Sequence, residues 1–182
     1  MSRIIGRYTG KEKGPLMIVF GGMHGNEPAG VKALDLMFKM LEVEPITNPS
    51  FNFCGRILGV IGNLQAYGVD KRFIEKDLNR QWTPDNISRV KNNGNGSLKA
   101  EDLEMLEVVN LIEKEIKEYQ PSKVVVLDIH TTTAFGGIFS IATDNPESVR
   151  IAVELHAPVI TKMLDGAGLK GTGLHYFISE NF

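Results

Sequence analysis

The chain has 182 residues, 42% of them apolar and 23% charged, which suits one domain with a substantial buried core. Its 20 basic and 22 acidic side chains leave a net charge of −2, which argues against electrostatic binding to nucleic acid or to an anionic membrane. A single cysteine, Cys54, excludes an internal disulfide framework, and no apolar run is long enough for a signal peptide or a membrane span, so a cytoplasmic location is expected.

In chain order, Leu16 to Phe20 is a continuous apolar run ended by Gly21 and Gly22, the pattern of a strand buried on both faces. Pro28 suits the first position of a helix, and the following residues set Val31, Leu34, Met37, Phe38 and Leu41 along one helical stripe. "TNPSFN" reads as loop, and Arg56 to Ile61 as a second short strand. Residues 64–96 have no clear periodicity and end in the loop-like "KNNGNGS". Ser97 is the predicted N-cap of a helix reaching Tyr119, with Leu103, Leu106, Val109, Ile112 and Ile116 buried and Pro121 as its stop. "KVVVLDI" is the strongest strand pattern in the chain, and "GGIFSIAT" predicts another. Pro146 to Leu164 predicts a helix kinked at Pro158. This alternation predicts an α/β fold with a mixed, largely parallel sheet flanked by helices, and such sheets bind ligands beyond the carboxyl ends of their strands.

Two polar motifs fall at those ends. His24 and Glu27 form an H-x-x-E pair on a strand-to-helix turn, a pattern that is usually incidental when it stands alone. His130, closing "VVVLDIH", supplies a candidate third ligand. Zinc favours imidazole and carboxylate donors, and a catalytic site uses three of them with a position left for water. Asp128 leaves its strand on the same face as His130 and suits orienting a ligand from behind. The segment "DKRFIEKDLNRQW" carries Arg72, Asp77, Asn79 and Arg80. As a charged loop it reads as a solvated face; beside a metal site, its two arginines suit an anionic substrate.

The remaining polar residues carry less. His156 reads as packing within an apolar helix, His175 as a lesser candidate for lining the site, and Thr131 to Thr133 as satisfying backbone groups where the strand ends. No G-x-S-x-G elbow, P-loop or G-x-G-x-x-G turn occurs.

Together, "GGMHGNE", "KRFIEKDLNR" and "DIHTTT", in this order over residues 21–133, resemble the succinylglutamate desuccinylase/aspartoacylase family of zinc-carboxypeptidase-like (phosphorylase/hydrolase-like) proteins. The resemblance implies one Zn²⁺ per chain held by His24, Glu27 and His130; Asp77 and Asp128 are expected behind these ligands. It implies that Arg72 is catalytic, polarising the scissile carbonyl, and that Asn79 and Arg80 grip a substrate carboxylate. The implied reaction is zinc-dependent hydrolysis of a small anionic N-acyl amino acid, of N-acetylaspartate or N-succinylglutamate type, by a metal-activated water.

The family's general-base glutamate, in a later segment of G-x-E-x-G kind, has no counterpart before Phe182; Glu180, the only late glutamate, has a different setting. Residues 1–182 are therefore read as a catalytic domain incomplete at its C-terminus, without the family's C-terminal β domain and with weak or no activity expected. Two other readings stay open: a metallocarboxypeptidase acting on peptide C-termini, and a non-catalytic metal- or ligand-binding domain. Homo-oligomerisation is also open.

Overall fold

In the computed structural model the described residues are 1–93, 98–132, 136–163, 171–173 and 177. The first long apolar run forms β2 (Glu12–Gly21), longer than its five apolar residues alone predict. Its alternate side chains feed two separate cores. Leu16, Ile18 and Phe20 pack with Met105, Val108, Val109 and Ile112 on one face, while Val19 packs with Leu34, Phe38 and Ile57 on the other. A strand with no solvated face must be apolar at consecutive positions, which is why its sequence shows no alternation.

β2 lies between two parallel neighbours, β3 (Cys54–Ile61) and β4 (Val124–Ile129). Gly21 is in register with Ile61 on one side and with Ile129 on the other, so the three carboxyl ends lie level. The fourth strand, β1 (Ile4–Thr9), runs antiparallel to β3 and completes the order β1-β3-β2-β4. Sequence reading does not predict β1, because Gly6 and Arg7 interrupt its apolar pattern. Tertiary packing supplies the reason for both residues. A Cβ at Gly6 would lie 2.3 Å from the Phe38 ring, and Arg7 donates to the buried carboxylate of Glu115 at 2.6 Å.

Helix α1 (Pro28–Thr47) begins at the predicted proline and buries Val31, Leu34 and Phe38 against the sheet. The unpatterned stretch after β3 contains a short helix, α2 (Leu64–Gly68), a single 3-10 turn at Leu78–Arg80, and α3 (Pro84–Asn92), capped by the Thr83 hydroxyl. Helix α4 (Glu101–Tyr119) covers the opposite face of the sheet from α1. The predicted cap Ser97 lies outside the described residues; α4 starts after Ala100, whose φ is 43°, without a side-chain cap. Its first turn carries Glu101, Asp102 and Glu104, which favour the positive end of the helix dipole. At the other end Gln120 turns left-handed and the helix ends ahead of Pro121, the predicted stop.

Three predictions need correction. The helix predicted over Pro146 to Leu164 is α5 (Pro146–Val153) only; the chain turns through His156, at φ 54°, and Pro158 leads into a strand rather than kinking a helix. That strand, β6 (Val159–Ile160), pairs in parallel with β5 (Ser140–Ile141), all that forms of the predicted strand "GGIFSIAT" among the described residues. Leu164 lies outside the described residues. His156 is accordingly exposed on a turn and does not pack within a helix. Among the described residues no helix is long and apolar enough to cross a membrane.

Candidate metal centre

The three level strand ends bring the two motifs together. After β2 the chain turns at Gly22, with φ 64°, and runs over α2 so closely that a Cβ on Gly25 would lie 2.1 Å from the Ala66 carbonyl carbon. Only glycine fits there, and the tight passage buries His24 and Glu27 together. Glu27 sits at the N-cap of α1 but makes no side-chain cap; its carboxylate turns instead toward the two histidines.

His24 Nδ1 lies 2.7 Å from Glu27 Oε1, and His130 Nδ1 lies 3.2 Å from Glu27 Oε2. Among the described residues, donor atoms of His24, Glu27 and His130 all lie within 4.8 Å of one another. The opposite ring nitrogens are held by carboxylates as well. His24 Nε2 lies 3.1 Å from Asp77 Oδ1, and His130 Nε2 lies 2.8 Å from Asp128 Oδ2. Each imidazole is thus fixed on its far side by an acceptor while its near nitrogen faces Glu27. Orientation of this kind selects the tautomer a metal ligand needs. Two imidazoles and one carboxylate are also a donor set that suits zinc.

The charges respond to this crowding. Burial pushes Glu27 upward, but the Thr131 N–H and the two histidines outweigh it and leave its carboxyl below the ordinary range. Asp77 is driven down more strongly: burial opposes ionisation, whereas His24 and Arg72 favour it and win. For His130 burial disfavours the cation, yet the carboxylates of Asp128 and Glu27 raise its pKa overall. The carboxylates of Glu27, Asp77 and Asp128 thus surround the two imidazoles, with the Arg72 guanidinium beside them.

The arginine-bearing segment lies alongside. Arg72 donates to Asp77 Oδ2 at 3.2 Å and stands 3.8 Å from Glu27 Oε1, with 46% of its side chain exposed. Asn79, expected to grip a substrate carboxylate, lies against His130 at the edge of the cluster. Its amide nitrogen lies 3.3 Å from His130 Nε2, its carbonyl accepts the Gly173 N–H at 3.1 Å, and it is buried. Arg80 is exposed and donates to the backbone carbonyl of Asn79 at 2.8 Å, an oxygen distinct from the Oδ1 that accepts Gly173. Asp128 leaves β4 on the face of His130, as its spacing predicts.

Of the lesser candidates, Thr131 uses its backbone N–H on Glu27 at 2.7 Å, while Thr133, His175 and Glu180 lie outside the described residues. Sequence reading overlooks Asn63 and Glu101, both fully buried. Asn63 Oδ1 caps α2, and its amide donates to Glu101 at 3.1 Å. The only signal for Glu101 is its place in a run of acidic residues at a helix start.

The fold and the donor cluster define a class: α/β proteins that gather two histidines and a glutamate at the carboxyl ends of a largely parallel sheet, with the zinc-carboxypeptidase-like architecture. Residues 13–169 match the model of the succinylglutamate desuccinylase/aspartoacylase catalytic domain, and the chain belongs to that family. A protein named probable aspartoacylase from Nostoc sp. is 34% identical over 121 residues, covering 66% of this chain and 36% of its own length. The succinylglutamate desuccinylase of Pseudomonas paraeruginosa is 29% identical over 99 residues, 53% of this chain and 26% of that protein. Among solved structures, a succinylglutamate desuccinylase from Vibrio parahaemolyticus superposes with a TM-score of 0.63 at 19% identity, over 91% of this chain and 53% of that one. A point mutant of murine aminoacylase 3 gives 0.61 at 23% identity, over 94% and 54%. The chain therefore spans about half the length of these solved relatives and less of the curated ones.

Proposed function

We propose that the chain carries the metal-binding part of a zinc-dependent hydrolase of small N-acyl amino acids. The observation that carries this reading is the convergence of His24, Glu27 and His130 within 4.8 Å, with Asp77 and Asp128 behind the two rings. These three side chains would hold one zinc ion. Zinc bound by such donors lowers the pKa of a coordinated water toward neutrality and polarises an amide carbonyl.

Around that centre the chain's own residues have separable roles. Asp77 and Asp128 hold the imidazoles in orientation. Arg72, half exposed at the rim, offers a fork of N–H donors to the carbonyl oxygen as it gains charge, or to a substrate carboxylate. Arg80, exposed eight residues further along the chain, is the second cation available to an anionic substrate. Asn79, tied to His130 and Gly173, steadies the site more than it offers a free amide. Family membership and the names of the relatives support the acyl amino acid over a peptide as the substrate class.

The test pairs metal content with turnover of the zinc-loaded chain on N-acetylaspartate, N-succinylglutamate and C-terminal dipeptides. One zinc per chain is expected, with weak turnover at most, and the turnover that does occur should release an amino acid from an N-acyl substrate. Exclusive dipeptide cleavage would replace the reading with a carboxypeptidase. Stoichiometric zinc with no amide hydrolysis, in the longest natural form of the protein, would replace it with a binding domain.

A further inference from the structure

Helix α4 touches the candidate site only indirectly, yet one of its side chains controls the segment between the site's polar residues. Glu101 is completely buried. Its Oε1 accepts the backbone N–H of Ile74 at 2.6 Å and the Asn63 amide at 3.1 Å. Its Oε2 accepts the N–H groups of Glu75 and Lys76 at 3.0 and 3.2 Å. Four donors thus converge on one carboxylate, three of them consecutive backbone amides. Burial alone would push this carboxyl upward; the N–H groups around it reverse that and hold it ionised.

Those three residues lie between Arg72 and Asp77 in a stretch without regular secondary structure until Leu78. A segment of that kind has no internal ladder to fix its shape, so its geometry is set by whatever accepts its amides. The neighbouring Asp102 adds a second hold. It accepts Lys76 Nζ at 2.6 Å and both terminal nitrogens of Arg89, at 2.9 and 2.6 Å, binding the same segment to α3.

We infer that Glu101 is a positioning residue: through the amides of Ile74, Glu75 and Lys76 it sets the segment that presents Arg72 and Asp77 to the His24–Glu27 pair. The inference rests on the reading of Arg72 given above. Glu101→Gln keeps the volume but turns an N–H₂ donor toward N–H donors. The segment then loosens at 74–76 while α4 stays folded.

The test uses the zinc-loaded full chain as wild type, Glu101→Gln, Arg72→Ala and the double variant. Amide hydrogen exchange at Ile74, Glu75 and Lys76 is expected to quicken about tenfold or more in Glu101→Gln, with the amides in the middle of α4 unchanged. On N-acetylaspartate, kcat/KM falls by about 10²-fold with zinc content retained. The same substitution on the Arg72→Ala background costs about tenfold or less, because only the hold on Asp77 is left to lose. Unchanged exchange at the three amides overturns the inference. So does an equal loss of kcat/KM on both backgrounds, which marks general damage.

If the chain binds zinc but hydrolyses nothing, the inference is judged on the exchange data and the Arg72 Nε–Hε resonance; if it binds no zinc, the functional reading fails while those two readouts still test the inference. That resonance should shift in Glu101→Gln, and an unshifted one refutes the inference. Glu101→Asp retains the charge and serves where the glutamine variant does not fold; it should restore part of the protection and part of the resonance position, and failure to restore either counts against the inference.

Discussion

Glu27 Oε2 accepts the backbone N–H of Thr131 at 2.7 Å, although 104 positions separate the two residues. One carboxylate thereby ties the turn after β2 to the end of β4. The same oxygen lies 3.2 Å from His130 Nδ1, so the bond that joins the strand ends also sets the spacing of the donor cluster. Parallel pairing in register, Gly21 with Ile129, is what makes this reach possible.

Removal of a histidine donor tests the metal centre directly. His24→Ala and His130→Ala should each leave the protein folded but largely free of zinc after dialysis, measured by elemental analysis. Arg72→Ala should keep its zinc and lose about 10²–10³-fold in kcat, the usual effect of deleting a donor to a developing oxyanion. Full zinc content in both histidine variants would remove the basis for the site.

The carboxylates behind the rings should matter through affinity. Asp77 bonds His24 Nε2 at 3.1 Å, and Asp77→Asn should weaken zinc binding by about 10–100-fold, read by competition with a chelator. Asp128→Asn should act on the same scale through His130, whose Nε2 lies 2.8 Å from it. An affinity indistinguishable from wild type would show that these contacts do not orient the ligands.

Away from the site, Glu115 links two strands of the sheet to α4. It is buried and accepts Arg7 at 2.6 Å and Arg56 at 2.7 Å. Burial pushes its carboxyl up, but the two guanidinium groups outweigh burial and leave it below the ordinary range. A group depressed on folding binds more protons when unfolded, so its contribution is complete above about pH 4.3 and fades as pH falls through the folded value. Glu115→Gln should cost about 1.5–3 kcal/mol at neutral pH and flatten the decline of stability below pH about 4. Urea melts at several pH values check this. A parallel decline in both proteins would mean that Glu115 is not the group responsible.

The turn at Gly25 has no room for a methyl group, since its nearest neighbours are backbone atoms of Ala66 and Tyr67 that cannot swing aside. Gly25→Ala should therefore destabilise by about 1–3 kcal/mol and lower zinc affinity by displacing His24. A variant with unaltered melting temperature would show that the turn yields easily.

The features legible in the residues are those governed by short-range pattern. Continuous apolar runs identify β2 and β4, Pro28 marks the start of α1, and imidazole and carboxylate at strand ends mark the donor cluster, because those signals need only neighbours in the chain. Tertiary structure alone decided the rest. β1 forms because Gly6 admits the Phe38 ring and Arg7 finds Glu115, neither visible within six residues of sequence. Asn79 is tied to His130 and Gly173, which only the fold brings beside it. Glu101 looks like an ordinary acidic helix start until three amides from residues 74–76 converge on it. Burial is the physical reason. Once water is excluded, each polar group must find its partner within the protein, and that partner is often distant in the chain.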